Sequence, residues 1–294
     1  MNLLKSPFHP LGKAPGNTVG PRSAGFTRAD LLTLLGLLGL IMLIHRPVQA
    51  NSRSAGQTVT CLNNLRRLTL AWLAYAEDYS GRLPGNTDDG STAGLNWVGG
   101  NVTSSPADSS VALLIDKRYA QLGPYTRDAA IYRCPADPST TRVGSVTVPR
   151  VRSYSMNGAV GSNGYKAGAA APVDGAWLDG NHNHVANKTW RTFGNLTSII
   201  EPPPAKLFVF ITEDEYSIND GCFAMAMTEP PKMIDWPETR HDYQGTLSYA
   251  DGRAEAHRWQ DLRTRVAYGQ VGSQIMPDNQ DLRWLQARTS APVR

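Results

Sequence analysis

The chain has 294 residues, of which 41% are hydrophobic and 18% are charged, and its formal net charge is +4. This length is sufficient for one large domain or two ordinary ones with a buried core, and the composition is that of a globular protein. The positive charge is dispersed, and no run of Lys and Arg is interleaved with aromatic residues, so nucleic acid is excluded as the expected partner.

Residues 1–25 are rich in Pro, Gly and small polar residues and contain three basic residues but no acidic one. This composition predicts a basic leader. The following stretch, from Leu31 to Ile44, contains only Leu, Ile, Met, Gly and one Thr. We therefore expect a transmembrane helix over residues 26–46, a range that reaches the ~20 residues of helix that a bilayer core requires.

A helical pattern continues over residues 47–80 with a different character. Apolar residues recur there at steps of three and four: Cys61, Leu65, Leu68, Trp72, Tyr75 and Tyr79. Arg66 and Arg67 fall on the opposite face, and Gly81 and Pro84 follow the last apolar position. This spacing predicts an amphipathic helix that lays one face on a core.

Residues 81–276 consist of short runs broken by Gly, Pro, Asn and Asp, which is typical of an α+β globular head. The continuous apolar run within Lys206–Asp214 predicts a central strand, and Asp251-Gly252 predicts a hairpin with a two-residue turn. Residues 277–294 lack a strong pattern and are predicted to form a flexible tail.

The three cysteines, Cys61, Cys134 and Cys222, include no C-x-x-C pair, which argues against zinc and thioredoxin-type chemistry. One disulfide with one free thiol, and three buried thiols, are both consistent with the sequence.

Catalytic motifs are also missing from the sequence. It has no G-x-S-x-G and no glycine-rich phosphate loop, so we do not expect an enzyme and expect no cofactor. The acidic stretch after the central strand offers the oxygen ligands that calcium takes, with Glu213, Asp214 and Asp220 as the candidates.

The segment Gly25-Phe26-Thr27, followed by a carboxylate at Asp30 and a leucine-rich run, resembles the cleavage and methylation site of type IV pilins and type II secretion pseudopilins. The resemblance implies that a prepilin peptidase cuts after Gly25 and that Phe26 is N-methylated. It also implies that Asp30 pairs with the new amine of a neighbouring subunit, and that Pro47 kinks the helix.

Further motifs resemble a large bacterial branch of the same family: "CLNNLRRL" with Cys61, Asn63 and Asn64; "CPAD" with Cys134, Pro135 and Asp137; "YSMN"; and His241, nine residues before Asp251-Gly252. The resemblance implies a pilin-like α+β fold, in which a long N-terminal helix with a membrane half and an amphipathic half packs on an antiparallel sheet. It also implies a structural subunit of a secretion or pilus-like assembly. Its partners would be other pilins, the peptidase and the lipid bilayer. The protein would be a single-pass protein of the inner membrane with a periplasmic head.

One segment departs from that family, and another supports a rival explanation. Arg28-Ala29-Asp30 stands where the family usually has Leu-Ile-Glu, which adds a charge and shortens the acid. The tripeptide Val48-Gln49-Ala50 is a small-x-small signal peptidase site after an apolar core. The alternative is therefore an exported or anchored module that binds the cell envelope and is released after Ala50.

Overall fold

The computed structural model describes residues 25–164, 171–265 and 272–294. The chain divides into two compact units, Met1–Gln49 and Ala50–Arg294. Apart from Gly25, the predicted basic leader lies outside the described residues. The division between the units falls close to the predicted boundary at residues 46 and 47.

The first helix, α1, extends over Arg28–Asp78, and its N-terminus is capped by its own sequence. The Thr27 N–H and hydroxyl donate to Asp30 Oδ2 at 2.9 and 2.7 Å, while the Asp30 N–H donates to Thr27 Oγ1 at 3.2 Å. These reciprocal bonds form a capping box, which satisfies amides that have no partner within the helix. Thr27 and Asp30 therefore set the beginning of α1.

The prediction of a membrane half in this helix is wrong. Among the described residues, no helix is both long enough and apolar enough to cross a membrane. α1 is long, but its run without charged or imidazole side chains extends only from Leu31 to Ile44 and is thus shorter than the ~20 residues that a bilayer requires. The part of the chain that the structure describes therefore has no long apolar N-terminal helix. Helix α1 continues through Pro47, and a kink at that residue stays a prediction.

In the second unit, α1 buries the face that the sequence pattern predicts except at Tyr79, which is 51% exposed near the end of the helix. The buried positions are Cys61, Leu65, Leu68, Trp72, Tyr75 and Ala76. After the last turn, Gly81 adopts a φ of +85° and its N–H donates to the Ala76 carbonyl at 2.7 Å, which ends the helix as a glycine cap does.

A five-stranded sheet lies against this face. In chain order, the strands of the second unit are β1 (Thr140–Val143), β2 (Val146–Pro149), β3 (Tyr154–Asn157), β4 (Phe208–Thr212), β5 (Cys222–Phe223), β6 (Lys232–Met233), β7 (Gln244–Tyr249), β8 (Ala254–Arg258) and β9 (Gln274–Ile275). The sheet order is β5-β3-β4-β7-β8, while β1 with β2 and β6 with β9 form separate pairs. The short helices are α2 (Ala112–Ile115), α3 (Gly123–Thr126) and α4 (Leu262–Arg265), with 3-10 turns at Ala129–Tyr132 and Leu196–Ser198.

The expectation of an antiparallel sheet is wrong, because the sheet is mixed. β3 pairs antiparallel with β4, with Tyr154 opposite Thr212, but it pairs parallel with β5, with Met156 opposite Cys222. After β4, the chain crosses to the other side of β3 and forms β5 at the edge of the sheet. β5 there runs antiparallel to β4 and parallel to β3.

The central strand and the hairpin are both present. β4 is fully buried between β3 and β7. β7 and β8 pair antiparallel, from Gln244 opposite Arg258 to Ser248 opposite Ala254. The predicted two-residue turn is wrong, since the Tyr249 N–H donates to the Arg253 carbonyl at 2.9 Å and three residues lie between them. Gly252 has a φ of +91°, which fits a three-residue loop with its last residue in the left-handed region.

The last segment, residues 277–294, contains helix α5 (Gln280–Thr289) where the sequence predicts a flexible tail. The Asn279 side chain accepts from the Asp281 and Leu282 amides at 3.0 Å and caps the helix. Leu282 and Leu285 are buried in a cluster with Trp259 on the sheet. The two faces of the sheet are thus covered by α1 and α5, which leaves β4 in the centre of the unit.

The buried face of α1 is expected to dominate the stability of the second unit. Leu68 is fully buried in the core, whereas Leu70, on the same helix, is 60% exposed. We expect Leu68→Ala to lower the free energy of unfolding of the full chain by ~2–5 kcal/mol, since it removes buried methyl groups and leaves a cavity. Leu70→Ala is the matched control and should change it by less than ~0.5 kcal/mol. Denaturant unfolding measures both, and equal effects would contradict the packing described.

Candidate metal centre

Four ionisable side chains converge in the interior of the second unit. Cys61 comes from α1, Cys134 follows the 3-10 turn Ala129–Tyr132, and Glu238 and His241 precede β7. Each residue is at most 1% exposed. One ligand atom from each lies within 4.8 Å of the others, and among the described residues this is the one group of three or more His, Cys, Asp or Glu side chains arranged to hold a metal ion.

The "CPAD" turn positions Cys134 through its own hydrogen bonds. The Asp137 N–H donates to the Cys134 carbonyl at 3.1 Å, and the Asp137 carboxylate accepts from the Ser153 hydroxyl. The oxygen of that hydroxyl in turn accepts from the Cys134 N–H at 3.1 Å. The aspartate of this motif therefore orients the cysteine rather than joining the cluster.

The distances within the cluster are short. Cys134 Sγ lies 3.2 Å from His241 Nε2 and 3.8 Å from Glu238 Oε2. His241 Nε2 lies 3.5 Å from Glu238 Oε1. Cys61 Sγ lies 3.1 Å from Thr246 Oγ1 and 3.2 Å from Tyr154 Oη. The ligand atoms of the two thiols, the imidazole and the carboxylate all lie within 4.8 Å of one another.

Thr58 fixes the tautomer of His241. The Thr58 hydroxyl donates its single proton to the Ser54 carbonyl at 2.9 Å, and its oxygen lies 3.1 Å from His241 Nδ1. With its single proton on the Ser54 carbonyl, this hydroxyl accepts from Nδ1, which assigns the ring hydrogen to Nδ1. In the neutral imidazole the lone pair is then on Nε2, the atom that faces Cys134 and Glu238.

Burial and mutual contact shift the pKa values of these groups. Burial raises the pKa of Cys61, but hydrogen bonds with Cys134, His241, Thr246 and Tyr154 lower it by more, and the net pKa is well below its usual value. The bond to Cys61 and burial raise the pKa of Cys134 above its usual value. Two close thiols cannot both ionise easily, so the first thiolate opposes the second.

The carboxylate and the imidazole are shifted as well. Burial raises the pKa of Glu238 to about 7, although the charge of Arg240 acts in the opposite direction. Arg240 Nη2 lies 3.1 Å from Glu238 Oε2 and its Nη1 binds Glu215. Burial lowers the pKa of His241, but its bond to Cys61 and the charge of Glu238 raise it by more. The site therefore favours negative charge on sulfur and positive charge beside it.

A groove lies beside the cluster. It has a volume of about 480 Å³ and is lined by Ser54, Ala55, Thr58, Val59, His241, Asp242 and Gln244. His241 is thus the cluster residue that borders the groove, although it is itself buried.

The structure brings together some of the motif residues and separates others. Cys61, Cys134 and His241 meet in the cluster, whereas Asp251 and Gly252 lie in the β7–β8 loop. Nearby, the Asn64 amide donates to the Arg133 carbonyl at 3.1 Å, and the Pro135 carbonyl accepts from the Gln57 amide at 3.1 Å. The side-chain oxygen of Asn63 accepts from Arg66 at the surface. Gly25, Phe26, Asp30 and Pro47 belong to the first unit.

The cysteines are free in this structure, and all three are buried. Cys222 lies in β5, away from the cluster formed by the other two. The structure thus has the arrangement of three buried thiols that the sequence left open beside a disulfide.

The predicted calcium ligands are already engaged by the protein. Glu213 accepts from the Ser155 hydroxyl at 2.5 Å and the Ser217 hydroxyl at 2.8 Å. Asp214 Oδ1 accepts from the Tyr216 N–H at 3.0 Å, and Asp220 Oδ1 accepts from the Cys222 N–H at 2.8 Å. Calcium binding there stays a prediction.

The sequence analysis did not identify Glu238 and did not predict a zinc site. Zinc was not expected because the chain has no C-x-x-C pair, but the two cysteines of the cluster are far apart in sequence. The spacing of Glu238 and His241, three residues apart in "ETRH", is the one local signal that was present.

Comparison of the chain with protein-family models, with curated proteins and with solved structures gives no match.

Glu213 generates a prediction for the pH dependence of stability. Burial raises its pKa from 4.5 to about 8, although bonds from Ser155 and Ser217 and the charge of Arg152 act in the opposite direction. A raised folded-state pKa means that the stabilising contribution is complete below the unfolded value, near 4.5, and is lost as the pH rises through about 8.

Glu213→Gln resembles the protonated form at every pH. We expect the free energy of unfolding of the variant, relative to wild type, to increase between pH ~4.5 and ~8 by on the order of 1 kcal/mol or more. Urea unfolding at several pH values measures this difference. The exposed Glu77→Gln is the control, with a change below ~0.5 kcal/mol. A difference that shrinks with rising pH would contradict the assignment.

Proposed function

We propose that the protein is a structural, pseudopilin-like subunit of a secretion or pilus-type assembly. Processing after Gly25, N-methylation of Phe26 and export of the Ala50–Arg294 unit belong to the same proposal. Its chief support is the exposed apolar surface of the first unit, together with the resemblance of the motifs around it.

Many of the described apolar side chains of that unit are exposed. The exposed ones are Phe26, Leu31, Leu32, Leu34, Leu35, Leu37, Leu38, Leu40, Ile41 and Met42. Because adjacent positions point in different directions around a helix, these residues form an apolar surface on all sides. Exposed apolar surfaces of this extent mark sites of interaction with other molecules. Equivalent helices of sister subunits have the matching chemistry and are the proposed partners.

The N-terminus of α1 supports an assembly role for Asp30. Its carboxylate is fully exposed, and Thr27 lowers its pKa through side-chain and backbone hydrogen bonds, so it is ionised at neutral pH. Both bonds from Thr27 end on Oδ2. In the proposed assembly the carboxylate pairs with the amine of Phe26 on a neighbouring subunit, which stabilises both charges in an apolar surrounding.

Two substitutions of Asp30 distinguish its proposed charge pairing with a neighbouring subunit from its role in capping α1. Asp30→Ala removes both the charge and the cap acceptor, whereas Asp30→Asn removes the charge and keeps an oxygen that accepts from Thr27. We expect both variants to be cleaved after Gly25, and incorporation of each into the assembly to fall at least ~10-fold, as for the loss of an interaction of about 1.4 kcal/mol.

The measurement is the amount of tagged full chain that co-purifies with the assembly from its native host, beside wild type. Thr27→Ala is the control, since it removes the two cap bonds made through the Thr27 hydroxyl and keeps both the carboxylate and its bond from the backbone N–H of residue 27. Normal incorporation of Asp30→Asn would exclude charge pairing and leave capping as the role of Asp30.

The alternative, an exported module that binds the cell envelope, is favoured by one observation. The second compact unit begins at Ala50, beside the small-x-small site that ends there. Signal peptidase cleavage after Ala50 would release residues 51–294, which contain the whole described core.

The mature N-terminus distinguishes the two functions. We expect N-methylated Phe26 in the protein isolated from its native host, as determined by mass spectrometry of the N-terminal peptide. Asn51 would instead support the released module, and unprocessed Met1 would contradict both.

A further inference from the structure

We propose that Cys61, Cys134, Glu238 and His241 bind one Zn²⁺ as a structural, tetrahedral site. The inference goes beyond the assembly role and stands independently of it, since every ligand belongs to the second compact unit. It rests on the geometry of the four side chains, the nature of their donor atoms and the groups that hold them.

The distances fit the edges of a tetrahedron around zinc. Zinc binds sulfur at about 2.3 Å and imidazole nitrogen or carboxylate oxygen at about 2.0–2.2 Å, so neighbouring ligand atoms are separated by about 3.4–3.8 Å. The observed separations are 3.2 Å from Cys134 Sγ to His241 Nε2, 3.5 Å from His241 Nε2 to Glu238 Oε1, and 3.8 Å from Cys134 Sγ to Glu238 Oε2. One ligand atom from each of the four residues, Cys61 included, lies within 4.8 Å of the others. To close the shell, the Glu238 carboxylate must turn so that one oxygen faces both Cys134 and His241, and the four ligand atoms must draw together around the ion.

The donor set selects zinc among common divalent ions. Two thiolates and an imidazole favour zinc over calcium and magnesium, which prefer oxygen ligands. Four protein ligands complete a tetrahedral shell and leave no position for substrate or water. Because all four side chains are buried, the site is expected to be structural rather than catalytic.

Surrounding groups already orient the ligands as a metal site requires. Thr58 accepts from His241 Nδ1 and leaves Nε2 free to bind the ion. Thr246 donates to Glu238 Oε1 at 2.9 Å and contacts Cys61 Sγ at 3.1 Å. Partners of this kind set the tautomer and direction of metal ligands, and their loss typically weakens metal binding ~10–100-fold.

Charge balance provides a further argument. With both thiols ionised, Cys61, Cys134 and Glu238 contribute three negative charges to a buried volume. A divalent cation offsets two of them, and the Arg240 guanidinium, which is 3.1 Å from Glu238 and also binds Glu215, lies beside the third. Uncompensated buried charge is costly, so a bound cation stabilises the ionised ligands that it needs.

The test measures zinc and thiols in the full chain. We expect protein purified without chelator to contain one zinc per chain by elemental mass spectrometry, and to show three free thiols after denaturation. Replacement of zinc by Co²⁺ should produce the thiolate-to-cobalt charge-transfer band and the visible bands of tetrahedral cobalt.

Variants locate the site. Cys134→Ser should weaken zinc binding at least ~100-fold, and Thr58→Val should weaken it ~10–100-fold without removing a ligand. Cys222→Ser is the matched control, because it removes a thiol that is equally buried but lies outside the cluster, and it should bind zinc as wild type does. Loss of zinc from all variants alike would contradict the assigned ligands.

Wild-type protein gives the decisive result even if the variants fail to fold. Retention of zinc, with a lower melting temperature after chelation and recovery on addition of zinc, supports the site. Folded wild type that binds neither zinc nor Co²⁺, or that contains a Cys61–Cys134 disulfide and a single free thiol, would overturn it.

Discussion

Cys61 places a thiol at the point where α1 crosses β3, β4 and β7, and a hydroxyl from each of these strands contacts it. Tyr154, Thr212 and Thr246 provide these hydroxyls. Two helical turns later, the Thr69 hydroxyl donates to Ser248 Oγ at 2.7 Å. Apolar packing alone tolerates sliding of a helix on a sheet, but buried polar groups must keep their partners. These two polar contacts therefore fix the rotation and position of α1 on β7, and the core forms around that arrangement.

Features of the fold that arise from local patterns could be predicted from the sequence. The stripe that contains Leu65, Leu68 and Trp72 predicted the buried face of α1, and the apolar run around Val209 predicted the central strand. Features that depend on partners distant in sequence could not. The parallel pairing of β5 follows from the side of β3 to which the chain returns, and the residues of β5 do not encode that choice. The prediction of a membrane half was wrong for a different reason. The predicted span extended the leucine-rich run over the charged residues that flank it, and the apolar part alone is too short to cross a membrane.

The candidate site was accessible to sequence reasoning only in fragments. Cys61, Cys134 and His241 each stood in a motif, yet nothing in the spacing indicated that they meet. Metal sites are recognised in sequences when two ligands share a turn or hairpin, as in C-x-x-C, because local geometry then fixes half of the site. Here the fold itself supplies the geometry: α1 contributes one ligand, the turn after Tyr132 another, and the segment before β7 two more. Glu238 was missed because a single acid near a proline-rich loop has no distinctive pattern.

The same helix that bears Cys61 also bears the exposed apolar segment, and this connects the two proposals physically. If that segment were held in an assembly, a load on residues 26–42 would reach the part of α1 packed in the core through the covalent chain. Hydrophobic packing resists the withdrawal of a helix only through many weak contacts, each of which is lost gradually. A bond from Cys61 through a metal ion to Cys134, Glu238 and His241 would instead attach the helix to two other segments at one point. That point lies among hydroxyls from β3, β4 and β7, so such an attachment would distribute a load over these three strands.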